Sequence, residues 1–207
     1  MKIIDIDQNT DEWLEARKGK ITGSKLNGIV TKRGNGHKVG FYQLIADKVF
    51  DGAENEEDDR ERGHSLEDEA AERFEHETGK TAEQVGLVLS DLSDDIALSP
   101  DRLIKQKGKY TEGLEIKCLG DARHVEAVLT NKVPADYYPQ VIQYFVVVET
   151  LKRVYLVFYS DRTNIKKFQY HCIAVERKDV EADIEFYRDY QIQTLKEINE
   201  LLEQYVF

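Results

Sequence analysis

The sequence predicts a single α/β domain over residues 1–207, with a central mixed β-sheet flanked by helices. Three observations predict it. Segments of helical and of strand periodicity alternate along the chain. A hydrophobic content of 41% in 207 residues supplies one core of good size. No internal repeat, low-complexity tract or linker divides the chain.

The elements follow in order. Residues 10–18 (TDEWLEARK) predict a short helix: Thr10 caps it, and Asp11 and Glu12 suit its positive end. A Gly-containing turn leads to a second short helix over about 24–30. Ser24 is its N-cap in the simplest reading; helix N-termini and nearby hydroxyls also hold phosphates, and Arg17 offers such an anion a planar fork of donors. Residues 31–38 (TKRGNGHK) read as a Gly-rich basic loop. Residues 39–50 predict an amphipathic helix with Tyr42, Ile45, Ala46 and Val49 inward, followed by an acidic loop over 51–61.

Residues 62–78 predict a helix closed by Gly79, with Leu66, Ala70 and Phe74 on its buried stripe. Glu67 lies at the edge of that stripe, unlike Asp68, Glu69 and Glu72. A carboxylate facing inward needs a partner, either a buried Arg or a metal site. Residues 84–90 predict a strand, and Ile96–Leu98 the start of a central hairpin. Residues 120–130 predict a helix on which His124 is solvated or capping. Residues 136–148 predict an apolar helix with Pro139 in its first turn. Gln140, Gln143 and Tyr144 share one face of it; such amides satisfy core backbone groups or hold a water or phosphate oxygen. Residues 153–159 and 167–175 predict an antiparallel strand pair, and about 177–204 a long C-terminal helix packed on the domain.

The chemistry concentrates between Ser99 and Lys117, two short strands joined by a Lys- and Gly-containing turn. Alternation puts Glu115 and Lys117 on one face and turns Ile116 toward the core. If the strands pair, the Asp101 and Glu115 carboxylates meet beside one ammonium. Two such carboxylates repel unless a cation lies between them, and a hard divalent ion, Mg²⁺ first, suits oxygen donors. Lys117 can orient or activate a water, or balance phosphate charge. Residues of this kind suit a metal-dependent phosphodiesterase.

Composition bounds the setting. The net charge of −11 argues against a nucleic-acid partner until its distribution is read. Residues 51–100 carry seventeen Asp/Glu against four Lys/Arg, whereas residues 17–38 carry seven basic residues and no acidic one. Lys32, Arg33 and Lys38 in that stretch either meet phosphates or form a solvated loop. Cys118 and Cys172 are the only cysteines, not in C-x-x-C spacing, as expected of buried thiols in a cytoplasmic chain. No apolar run approaches membrane-spanning length, and Met1-Lys2-Ile3 does not open a signal peptide.

An ordered set of motifs runs from about Trp13 to Tyr159: W-L-x-x-R, I-T-G-S, E-D-E-A, S-P-D, E-I-K and Y-Y-P-Q-V-I-Q-Y. It resembles the lambda exonuclease-like (YqaJ-type) phage recombination exonucleases, a branch of the PD-(D/E)XK nuclease superfamily. The resemblance implies a restriction-endonuclease-like core. It implies that Asp101, Glu115 and the Ile116 main-chain carbonyl hold one or two Mg²⁺ ions, with Glu67 helping through water. Mn²⁺ is expected to substitute and Ca²⁺ to inhibit. Lys117 matches the catalytic lysine and Gln140 the active-site glutamine; Arg17, Ser24 and Ser99 match the pocket for a 5′-phosphate. The implied activity is 5′-to-3′ digestion of one strand of linear double-stranded DNA to mononucleotides, leaving a 3′ single strand for recombination by annealing. A ring-shaped homotrimer, a single-strand annealing protein as partner, and a phage or prophage setting in a bacterial cytoplasm are implied with it. The alternatives are a restriction-type endonuclease and a non-catalytic DNA-end-binding subunit.

Overall fold

The computed structural model describes residues 56–86, 88–98 and 100–206, together with 11, 12, 39, 42 and 46. Helix α1 spans Glu56–Thr78. It takes in residues 56–61 of the acidic run expected to be a loop over 51–61; residues 51–55 lie outside the described residues. Acidic side chains suit the positive end of a helix, so that run extends α1 rather than breaking it. Gly79 stops it as expected: its φ of 68° is the left-handed region, and its N–H donates to the Glu75 carbonyl at 2.8 Å.

Strands β1 (Val88–Ser90) and β2 (Ser93–Leu98) form a separate antiparallel pair. Ile96–Leu98 therefore does not begin the central hairpin. Pro100, which has no N–H to donate, follows before the chain enters the main sheet. The strand expected over 84–90 shortens to β1, while Glu83 exchanges both backbone hydrogen bonds with Leu103.

The main sheet has the order β3–β4–β5–β6, with β3 at Arg102–Gln106, β4 at Lys109–Lys117, β5 at Arg153–Tyr159 and β6 at Tyr170–Glu176. The β4–β5 pair is parallel and the others antiparallel, so the sheet is mixed as predicted. Lys107 and Gly108 close the β3–β4 hairpin with φ of 51° and 80°. Positive φ at both positions is the two-residue turn whose twist matches the strands it joins.

The parallel crossover carries α2 (Asp121–Thr130) and α3 (Tyr138–Val147), the latter with Pro139 in its first turn. A four-residue helix α4 (Lys166–Gln169) replaces the start of the run expected to be strand from 167. A 3₁₀ turn at Arg177–Asp179 precedes the C-terminal helix α5 (Glu181–Val206).

Alternation divides the core in two. Leu66, Ala70, Ala71 and Phe74 of α1 pack on Ile104, Leu114, Ile116, Tyr155 and Val157. Val141, Ile142 and Phe145 of α3, with Ile184 of α5, pack on Leu103, Val154, Leu156 and Phe158 of the opposite face. Fully burying one such side chain is worth about 1.5–3 kcal/mol, against about 0.7 kcal/mol at most between ordinary residues in helix propensity, so these stripes fix where the helices lie. His124 departs from expectation: it is fully buried, 6.5 Å from Phe158 in an edge-on ring contact. Tyr42 and Ala46 are helical and buried with Val125, as read from sequence; Ile45 and Val49 lie outside the described residues.

Candidate active site

The hairpin brings its three predicted residues to one corner. β4 alternates as expected: Leu114 and Ile116 enter the α1 side of the core, and Gly113, Glu115 and Lys117 turn toward α3. Asp101 lies just before β3, and its Oδ2 accepts the Ile116 N–H at 2.6 Å. Lys117 Nζ donates to Glu115 Oε1 at 2.6 Å. Glu115 is 6% exposed, so this pair is mostly desolvated.

The electrostatics follow from that packing. Burial and then the neighbouring Glu115 push the Asp101 carboxyl up to about 6; Glu67 adds to the repulsion, while the Ile116 N–H and Lys117 oppose it. Burial alone would lower the Lys117 pKa, but the Glu115 carboxylate and its hydrogen bond, with Asp101, outweigh it and hold the ammonium above its ordinary value. Lys117 is therefore a charged donor in this arrangement. Its Nζ also lies 5.3 Å from the Tyr137 ring centre. Tyr137 helps line a hollow with Leu119, Arg123, Glu126, Pro134 and Asp136.

For Glu67 the sequence leaves a buried arginine or a metal site open as partner; the buried Arg102 pairs with the next residue of α1. Asp68 pairs with Arg102, which is 6% exposed and also donates to the Asp101 carbonyl at 2.6 Å. That ion pair fastens α1 beside Asp101, and Glu67, half-buried on the same helix, acts on the Asp101 carboxyl through its charge. The three α3 side chains read as one face diverge. Gln140 is exposed in the first turn, Gln143 exchanges hydrogen bonds with Gln191 of α5, and Tyr144 is fully buried.

Tyr144 is the residue whose part the sequence reading did not assign. Its hydroxyl accepts the Asp101 N–H at 3.0 Å and lies 2.7 Å from Glu115 Oε2. A buried tyrosine on an apolar helix needs a partner for its O–H, and that need was the available signal. Arg17, Ser24, Lys32, Arg33, Lys38 and Ser99 lie outside the described residues.

Among the described residues no group of three or more His, Cys, Asp or Glu is arranged to hold a metal ion. The donor set that the sequence implies is smaller in carboxylates: Asp101, Glu115 and a main-chain carbonyl. It fits a hard divalent ion in its chemistry: the Asp101 carboxylate is held on the Ile116 N–H next to the buried Glu115, and a cation offsets the burial and the Glu115 charge that raise the Asp101 carboxyl.

A family description, the YqaJ-like viral recombinase domain, matches residues 12–151, a span that contains Asp101, Glu115, Lys117, Glu67 and Gln140. Two crystal structures of LHK-Exo, an alkaline exonuclease from Laribacter hongkongensis, are similar to this chain, one of them in complex with dAMP. Each is 28% identical to this chain, covering 94% of it and 97% of its own length, with a TM-score of 0.59. No curated protein matches. The site lies in the shared fold, and the chain belongs to the YqaJ-like viral recombinase domain family.

Proposed function

We propose that this protein is a divalent-metal-dependent exonuclease that digests one strand of linear double-stranded DNA from its 5′ end, releasing mononucleotides and leaving a 3′ single strand. One observation carries the reading: Lys117 donates to Glu115, and the Asp101 carboxylate accepts the N–H of Ile116 between them, so the three side chains share one corner of the fold. The similarity to an alkaline exonuclease supports the reaction class, and dAMP in one of its structures is a deoxynucleoside monophosphate.

Asp101, Glu115 and the Ile116 carbonyl would hold one or two Mg²⁺ ions, with Glu67 contributing through water. Such an ion supplies Lewis-acid polarisation of the scissile phosphate and a water of lowered pKa. Lys117 serves the attacking water or the phosphate, positioning or deprotonating that water. Gln140, exposed at the start of α3, offers an amide to a water or phosphate oxygen. Arg17, Ser24 and Ser99 receive the terminal 5′-phosphate, and Lys32, Arg33 and Lys38 track the duplex backbone. A ring-shaped homotrimer, in which a head-to-tail interface closes on itself, would confine the acidic chain's DNA contact to a basic interior. The product strand suits a single-strand annealing protein.

Matched linear and covalently closed circular duplexes of one sequence test this. In Mg²⁺ the linear duplex is degraded and the circle persists. Linearisation of the circle would assign the chain to internal cleavage instead.

A further inference from the structure

We infer that Tyr144 is the positioning residue of the carboxylate pair, and that Gly113 exists at its position to admit the Tyr144 ring. The inference rests on the metal reading above and gives a part to the last tyrosine of Y-Y-P-Q-V-I-Q-Y. Gly113, Glu115 and Lys117 occupy the same face of β4 at every second position. A Cβ at Gly113 would lie 2.5 Å from Tyr144 Cδ1 and 2.9 Å from Cε1. The ring thus occupies the place of the missing side chain. From there its length carries the hydroxyl along the strand to Glu115, two residues on.

The hydroxyl has one proton and accepts through its lone pairs. It accepts the Asp101 N–H at 3.0 Å. Its proton has two acceptors in reach, Glu115 Oε2 at 2.7 Å and the Leu114 carbonyl at 3.0 Å. The shorter contact to the charged oxygen is the stronger bond. Glu115 then has Lys117 on Oε1 and Tyr144 on Oε2. Asp101 is held at its backbone by Tyr144 and at its carboxylate by the Ile116 N–H. One phenol on α3 therefore fixes both carboxylate-bearing segments, the one before β3 and the one within β4. Tyr144 is fully buried, so water does not replace it. Such outer partners hold ligands in the orientation that binds the ion.

The test is calorimetric titration of Mn²⁺ into the full chain without DNA. Tyr144→Phe should weaken Mn²⁺ binding by about 10- to 100-fold, the usual effect of losing a group that orients a ligand. Gly113→Ala, which keeps the hydroxyl but displaces the ring, should weaken it in the same direction. In nuclease assays the Mg²⁺ concentration giving half-maximal rate should rise, while the rate at saturating Mg²⁺ changes far less. A merely structural role would lower the melting temperature and leave the folded protein's Mn²⁺ affinity unmoved. Circular dichroism checks each fold; a variant that loses it is titrated in trimethylamine N-oxide, which favours the compact state. Equal Mn²⁺ affinities for wild type and Tyr144→Phe overturn the inference alone. No Mn²⁺ binding by the wild type overturns the metal reading and this inference with it.

Discussion

Lys117→Ala and Asp101→Ala should each lower the rate of DNA degradation by at least about 10²-fold, the scale of one lost electrostatic contact to a transition state. Both act on chemistry rather than on the duplex backbone. Lys117 is the ammonium of the corner: its removal strips the donor from Glu115 Oε1 and, in the proposed mechanism, from the reacting phosphate. Asp101→Ala removes a carboxylate that burial and then the neighbouring Glu115 hold above its ordinary pKa. Binding to DNA ends should stay near wild type, because phosphate contact is assigned to the 17–38 segment. The two measurements are single-turnover degradation and equilibrium binding in Ca²⁺. Residual activity within about tenfold of wild type, roughly 1.4 kcal/mol in barrier, would remove Asp101 or Lys117 from the site.

A 5′-phosphorylated linear duplex should be degraded faster than the same duplex with a 5′-hydroxyl, by about one to two orders of magnitude in initial rate. Arg17, Ser24 and Ser99 each offer donors to an anion. A hydrogen bond to a charged group is worth roughly 1.5–3 kcal/mol, which sets that range. Arg17→Ala should erase most of the preference and leave Mn²⁺ binding intact, since the proposal gives Arg17 to the terminal phosphate and not to the ion. Equal initial rates on both ends for the wild type would dissolve the proposed phosphate pocket.

Much of this architecture was legible in the sequence because it rests on local rules. Gly79 announced the end of α1, and Lys107-Gly108 the hairpin turn, through backbone conformations that few residues share. Period-two alternation placed Ile116 inward and Glu115 and Lys117 together before any coordinates were known. The residues that escaped are those whose roles depend on sequence-distant neighbours. His124 reads as a surface residue on its own helix, but Phe158 of β5 covers it. The sequence does not say which carboxylate of α1 meets Arg102; the seating of the helix gives it Asp68, which reads as outward on its own helix. Gly113 and Tyr144 lie 31 residues apart, and no periodicity links a missing side chain on a strand to a phenol on a later helix. Ile96–Leu98 carried ordinary strand character, which says nothing of which sheet a strand joins.

The most direct measurement follows the fate of a label at the 5′ end of one strand of a blunt linear duplex, in Mg²⁺ and in EDTA. Labelled mononucleotide should be the first product in Mg²⁺, appearing before the duplex shortens appreciably. EDTA should stop its release, and readdition of Mg²⁺ should restore it. The unlabelled complementary 3′-ended strand should persist as single-stranded DNA. Label that stays in long fragments, or release that continues in EDTA, would contradict a metal-dependent exonuclease acting from the 5′ end.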